Sequence, residues 1–189
     1  MLSKYLSVNK KFFFLLLTIF LMPSKFTYSK GPSSFFPLSI IQSEAISNRS
    51  KNRFLFGISY FNAMRQKQNA IEGRFEYRSS LNLLNVSPFT GISFASSGAF
   101  YWMAGFYSDI PLGNIFMVTP GFAAGYFNKG LGIDLASEVE FRTQIEFVYV
   151  LENNLRIGIG FYHISNGNFG KSNPGAESLS FIFSLPVEN

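Results

Sequence analysis

Most of the chain from residue 53 onward alternates between apolar and polar positions with a period of two. In ASEVEFRTQIEFVYV, residues 136–150, one side holds Val139, Phe141, Ile145, Phe147 and Tyr149, and the other holds Glu138, Glu140, Arg142, Gln144 and Glu146. The same alternation occurs in IEGRFEYRS (71–79), RIGIGFYHIS (156–165) and ESLSFIFSLPV (177–187). Successive side chains of a β-strand point to opposite faces, so this pattern predicts strands and an all-β fold.

The alternation and the turn residues between its runs predict eight strands. They cover residues 53–62, 70–79, 86–96, 99–110, 114–127, 134–150, 154–165 and 177–187. An even number of antiparallel strands closes into a barrel with both ends of the chain on one side, which is the periplasmic side in the outer membrane. The turns LGN (112–114) and ENN (152–154) then lie on that side, and the connection 166–176 lies outside the cell.

The direction of the apolar face separates two kinds of barrel. A soluble, secreted lipid-binding barrel would point its apolar side chains inward, whereas an outer-membrane barrel points them towards lipid. The chain has 24 Phe and only 14% charged residues, which favours an apolar face in lipid. The polar side would then fill the interior with structural ion pairs, formed by Glu72, Arg74, Glu76, Arg78, Glu138, Glu140 and Arg142. We therefore expect an eight-stranded antiparallel transmembrane β-barrel of the outer membrane.

The N-terminus predicts an export signal over residues 1–29. A basic start is followed by FFFLLLTIFLM, which is too short to span a bilayer as a helix, and then by a polar region with small residues. An uncleaved anchor is the alternative. Residues 30–52 follow as a polar leader segment, and 53–189 form the barrel domain. Removal of the signal leaves 12 basic and 11 acidic residues, so nucleic acid is not an expected partner.

The residue types that are missing limit the chemistry. Cysteine is absent and His163 is the only histidine. Disulfides, thiol catalysis and metal sites built from Cys or several His residues are therefore excluded. We expect neither a metal ion nor a cofactor.

The candidate chemistry lies in FYHISNGNFGKSNPGAESLSF, residues 161–181. His163 and Ser165 are two residues apart, so they share a strand face. A hairpin that is symmetric about Gly170 places Glu177 opposite His163 on that same face. A serine nucleophile needs a histidine base and a carboxylate that orients the histidine, so Ser165, His163 and Glu177 are candidate catalytic residues. They would lie on the outside of the barrel, near its extracellular rim.

The loop of this hairpin offers donors for an oxyanion. Asn166, Asn168 and Asn173 carry side-chain amides, and the neighbouring glycines allow close approach of backbone N–H groups. The same letters also make good turns, so a polar loop without catalytic function is the alternative. Ionisable groups on a lipid-facing surface are costly and usually functional, which favours the catalytic interpretation.

The stretch HISNGNFGKSNPGAES resembles the outer-membrane lipid A 3-O-deacylases, which have a His-x-Ser-Asn hairpin followed by an Asn and a Glu. The resemblance implies hydrolysis of the ester-linked acyl chain at the 3-position of lipid A. It implies that Ser165 is the nucleophile, His163 the base and Glu177 the orienting acid. Asn173 is the first candidate for oxyanion stabilisation, and Asn166 is a second oxyanion or positioning candidate. The partner would be lipid A, or lipopolysaccharide, in the outer leaflet.

Three other functions stay open at the level of sequence. The same nucleophile would serve a barrel acyltransferase or phospholipase. A structural or adhesive barrel without catalysis would tolerate Ser165→Ala and His163→Ala, and a soluble lipid-binding barrel would extract without detergent. No residue pattern decides whether the protein forms a homodimer.

Overall fold

The computed structural model describes residues 51–64 and 68–187. The expected signal peptide (1–29) and almost all of the leader (30–52) lie outside the described residues. The described chain forms nine strands: β1 (Arg53–Phe61), β2 (Ala70–Arg78), β3 (Ser87–Ala95), β4 (Phe100–Tyr107), β5 (Ile110–Leu112), β6 (Phe116–Asn128), β7 (Val139–Val150), β8 (Arg156–Ser165) and β9 (Ala176–Pro186). No helix in these residues is long and apolar enough to cross a membrane.

The strands form one closed antiparallel barrel. The sheet order is β4-β3-β2-β1-β9-β8-β7-β6-β5, and pairing of β4 with β6 closes it. The short β5 continues the path of β4 along β6, so the two together form one stave and the barrel has eight. The eight-stranded antiparallel barrel that the sequence predicts is confirmed, with strand bounds that mostly agree within two residues.

Two predicted strands have different bounds. Residues 134–138, which we expected to begin the sixth predicted strand, belong to the loop between β6 and β7. Asp134 accepts a hydrogen bond from the backbone N–H of Ala136, which has a φ of 64°, and this local turn replaces strand pairing. The predicted fourth strand is interrupted after Tyr107, where the buried Asp109 pairs with Arg156.

The apolar side chains of the strands point outward. Ile58, Ile159 and Phe181 are 68%, 62% and 58% exposed on the barrel wall. A soluble barrel would bury this face, so the soluble alternative is wrong. A continuous apolar outer surface of this kind is stable only against lipid.

Charged side chains fill the part of the barrel interior that lies below its extracellular end. The Glu76 carboxylate contacts Arg74, Arg78 and Arg142 at 3.1, 2.8 and 2.6 Å, and Arg78 also contacts Glu146 at 2.7 Å. All these side chains are at most 5% exposed, so each charge depends on its partners for compensation. The predicted interior ion pairs are confirmed for Glu76 and its three arginine partners, which we call the Glu76 network.

Glu138 is a correction to that prediction. It lies on the loop between β6 and β7 and is exposed, because the strand begins one residue later than its position. Glu140, one of the other expected members, is fully buried inside the barrel.

The extracellular end of the interior is apolar. Ile133 and Leu135, from the β6–β7 loop, are 8% and 1% exposed and belong to a buried cluster with Phe61, Phe127 and Ile164. This loop therefore fills the mouth of the barrel and lies beside the upper end of β8, where the candidate site begins.

Candidate active site

The register of β8 and β9 brings His163 and Glu177 together. The two residues are direct cross-strand partners, as the symmetric hairpin predicted. His163 Nδ1 lies 3.2 Å from Glu177 Oε1, and the two side chains are 22% and 19% exposed. A carboxylate at Nδ1 selects the tautomer with a proton on that nitrogen, which leaves Nε2 as the basic nitrogen.

Glu177 is fixed by the neighbouring strand as well as by His163. Its backbone carbonyl accepts a hydrogen bond from the N–H of Ala63 at 2.8 Å, just beyond the end of β1. The carboxylate therefore projects from a backbone that is paired on both sides. Such a position suits a group whose role is to hold an imidazole in one orientation.

Ser165 is the last residue of β8 and lies on the same outward face as His163. It is half-buried and is the cross-strand partner of Phe141 on β7. Within the described residues, its hydroxyl has no hydrogen-bond partner. The hydrogen bond between nucleophile and base often forms only when a substrate binds, so the absence of this bond here is compatible with a nucleophilic role.

Gly175, in the loop just before β9, packs directly against the His163 imidazole. Its φ is 62°, and a Cβ at this position would lie 2.9 Å from His163 Cε1 and 3.5 Å from Nε2. A glycine is needed here for the left-handed backbone and for the space. From the sequence, the glycines of this loop were considered for turns and for close approach of backbone N–H groups, and the proximity of Gly175 to His163 is visible only in the folded hairpin.

The two asparagines of the motif have different surroundings. Asn166 is fully buried; its Nδ2 donates to the carbonyls of Leu135 and Ser172 at 2.9 and 2.7 Å, and its Oδ1 accepts from the N–H of Asn168. These bonds use the side chain and connect the hairpin to the β6–β7 loop. The geometry therefore favours positioning rather than oxyanion binding for Asn166.

Asn173 has an oriented and available amide. Its Oδ1 accepts the backbone N–H of Asn166 at 3.1 Å, and only the oxygen of the amide can accept. This contact places the Asn173 amide beside the peptide that follows Ser165. No hydrogen bond from Nδ2 is present among the described residues, so both of its protons can serve a ligand.

An apolar groove of about 410 Å³ lies on the outer wall below His163 and Glu177. Its sides are Phe147, Ile159, Phe161, Leu179 and Phe181, and its floor is formed at the paired residues Gly160 and Ser180. From the sequence alone, lipid contact is the favoured role of Phe161 and Phe181, ahead of binding an acyl chain. In the structure both line this groove, on the two strands that carry His163 and Glu177.

The fold and the site together define the class of protein: this is an outer-membrane β-barrel with a polar cluster on its lipid-facing rim. The family model described as Lipid A 3-O-deacylase (PagL) matches residues 94–186, which include β8, β9 and the loop between them. The chain is similar to that family over this range, in agreement with the resemblance of its His-x-Ser-Asn hairpin.

Solved structures support the fold. The chain is similar to the structure titled "Crystal structure of the outer membrane enzyme PagL", with a TM-score of 0.55 and 15% identity, over 71% of this chain and 99% of that one. It is also similar to a structure titled "De novo design of transmembrane beta-barrels", with a TM-score of 0.55 and 7% identity, over 73% and 96%. At these identities the likeness shows the barrel alone. No curated protein matches the chain.

Proposed function

We propose that the protein is an outer-membrane serine esterase that hydrolyses the ester-linked 3-O acyl chain of lipid A. The observation that carries the proposal is the 3.2 Å contact between His163 Nδ1 and Glu177 Oε1 on the lipid-facing rim, two residues from Ser165. The match of residues 94–186 to the lipid A 3-O-deacylase family model supports the substrate class. An imidazole and a carboxylate on a lipid-facing surface are costly unless they have a function.

In the proposed acylation step, His163 Nε2 takes the proton of the Ser165 hydroxyl as the oxygen attacks the ester carbonyl. Glu177 stabilises the imidazolium that forms. The carbonyl oxygen becomes an oxyanion, and the Asn173 Nδ2 protons are the candidate donors for it. The C–O bond to the sugar then breaks, and the imidazolium returns its proton to the leaving sugar oxygen.

In the deacylation step, His163 takes a proton from water, which attacks the acyl-serine. A free fatty acid leaves and Ser165 regains its proton. The groove of Phe147, Ile159, Phe161, Leu179 and Phe181 supports the location of the acyl chain during both steps, because its apolar sides can pack against a CH₂ chain by van der Waals contact. A lipid in the outer leaflet reaches this groove laterally, without entering the barrel.

The function is tested by incubating the refolded protein in vesicles with purified lipid A and with phospholipid, and by following both lipids by mass spectrometry. We expect release of one acyl chain from lipid A, at the 3-position, and no change in the phospholipid. Lipid A that has already lost its 3-O chain is the matched control substrate and is expected to stay intact. Release from phospholipid, or transfer of a chain to a second lipid, would replace this proposal by a phospholipase or an acyltransferase.

Gly175→Ala is expected to reduce deacylation by about 10-fold to 100-fold while the barrel still folds, because the new methyl group displaces the imidazole and small misplacements of a catalytic group are costly. Gly167→Ala is the control. It has a similar φ of 61° in the same loop, but its Cβ would meet only ring atoms at 3.5 Å. Equal losses in the two variants would mean that backbone strain, and not contact with His163, causes the effect.

A further inference from the structure

A second cavity, of about 530 Å³, lies in the β6–β7 loop at the extracellular end of the barrel. Its polar lining consists of Asn128, Lys129, Asp134, Ser137 and Glu138. The volume lies within the range of small-molecule sites, which is about 300–1,000 Å³. Unlike the groove on the outer wall, this cavity is lined by both hydrogen-bond donors and acceptors.

The loop that forms this polar cavity is firmly held. Its Leu131 N–H donates to the carbonyl of Ser97 in the β3–β4 turn at 2.9 Å, and its Leu135 side chain is buried in the barrel mouth. Asp134 accepts from the Lys129 ammonium at 2.5 Å and from the backbone of Ala136 at 2.8 Å. These contacts fix the loop and present its polar side chains in a stable arrangement.

The polar cavity is next to the candidate active site. Leu135 is one of the lining residues, its backbone carbonyl accepts a hydrogen bond from the Asn166 side chain at 2.9 Å, and Asn166 directly follows Ser165. In an ester of a sugar hydroxyl, the sugar ring begins one bond beyond the ester oxygen. A substrate whose carbonyl is at Ser165 therefore has its sugar close to the hairpin residue that is hydrogen-bonded to this loop.

The charges of the residues that line the cavity favour binding of a sugar hydroxyl group over binding of a phosphate group. Lys129 contributes one positive charge, and Asp134 and Glu138 contribute two negative charges. A phosphate would be repelled by the two carboxylates, since like charges at close range are unfavourable. A sugar hydroxyl both donates and accepts hydrogen bonds, so it can use the carboxylates, the ammonium and the Ser137 hydroxyl together.

We propose that this cavity is a saccharide subsite that holds the sugar carrying the scissile ester, with Glu138 and Asp134 accepting hydrogen bonds from its hydroxyl groups. The inference rests on the proposed esterase function and deepens it. The lipid is then divided between two surfaces: the acyl chain lies in the apolar groove on β8 and β9, and the sugar lies in the β6–β7 loop. Ser165 lies at the junction of the two.

Glu138→Ala is the sharpest test, because the Glu138 side chain makes no hydrogen bond to the described protein and its removal breaks no internal contact. We expect KM for lipid A to rise by about 10-fold, the loss of one charge-assisted hydrogen bond, with kcat unchanged. Hydrolysis of a long-chain p-nitrophenyl ester, which has no sugar, should not change. Glu152→Ala, an exposed acid in the β7–β8 turn at the opposite end, is the matched control and should affect neither substrate.

Three results would overturn the subsite: an unchanged KM for lipid A, an equal loss on both esters, or an equal loss in the Glu152→Ala variant. Binding separates the subsite from the catalytic proposal. Saturation-transfer NMR with the deacylated lipid A disaccharide should detect binding to Ser165→Ala protein and a loss of binding when Glu138→Ala is added. If the disaccharide binds but the wild-type protein releases no acyl chain, the subsite is retained and the esterase function is rejected. If the wild-type protein releases the acyl chain but the disaccharide does not bind, the esterase function is retained and the subsite is rejected.

Discussion

Ser165→Ala is expected to abolish release of the 3-O acyl chain, with a fall in rate on the order of 10⁴-fold or more. The hydroxyl oxygen is the proposed attacking atom, and alanine leaves His163 and Glu177 with nothing to activate. The barrel should be unaffected, because within the described residues the hydroxyl makes no hydrogen bond that supports the fold. Mass spectrometry of lipid A from cells that make each protein measures the effect directly.

Ser172→Ala is the matched control for this experiment. Ser172 is exposed in the same loop, and the loop depends on its backbone carbonyl rather than on its side chain. Lipid A from cells with this variant should lose its acyl chain as in wild type. If lipid A is unmodified even by correctly inserted wild-type protein, the deacylase proposal fails; if Ser165→Ala still removes the chain, the nucleophile is a different residue.

Much of the site could be predicted because it is local in sequence. His163 and Glu177 are joined by one hairpin, and a period of two fixes which face each residue occupies. A symmetric turn about Gly170 was then enough to pair them, and the observed register agrees. The aromatic character of the apolar faces was enough to choose lipid over a soluble core.

The parts that sequence could not give depend on contacts between distant segments. Asn166 and Leu135 are 31 residues apart, and no pattern in either segment indicates that one accepts a hydrogen bond from the other. We expected residues 134–138 to continue the strand. Instead, Leu135 turns into the mouth of the barrel, where burial of its side chain (1% exposed) stabilises the loop. The same turn places Glu138 in a cavity wall instead of the interior.

Contacts between distant segments also decide which of the predicted interior acids are buried. By composition and spacing, Glu76 and Glu138 were equivalent members of one interior set. The structure separates them: Glu76 is fully buried among three arginines, and Glu138 is exposed on a loop. The two acids should therefore contribute to different properties of the protein, one to stability and the other to binding.

Glu76→Gln is expected to lower the free energy of unfolding by about 3–5 kcal/mol, the usual cost of removing one partner from a buried ion pair. The amide cannot neutralise Arg74, Arg78 and Arg142, and although Arg78 keeps its contact with Glu146, the interior is left with an uncompensated positive charge. Urea-dependent unfolding of the barrel in lipid vesicles, followed by tryptophan fluorescence, measures the change.

Glu138→Gln provides the comparison, because it makes the same chemical change at an exposed position. Its free energy of unfolding should stay within about 0.5 kcal/mol of wild type, as for most surface substitutions. Equal destabilisation by the two variants would mean that net charge, and not the buried contacts of Glu76, sets the stability of the barrel. A large difference would show that the Glu76 network stabilises the barrel by joining β2 to β7 across the interior, on either side of the β8–β9 hairpin.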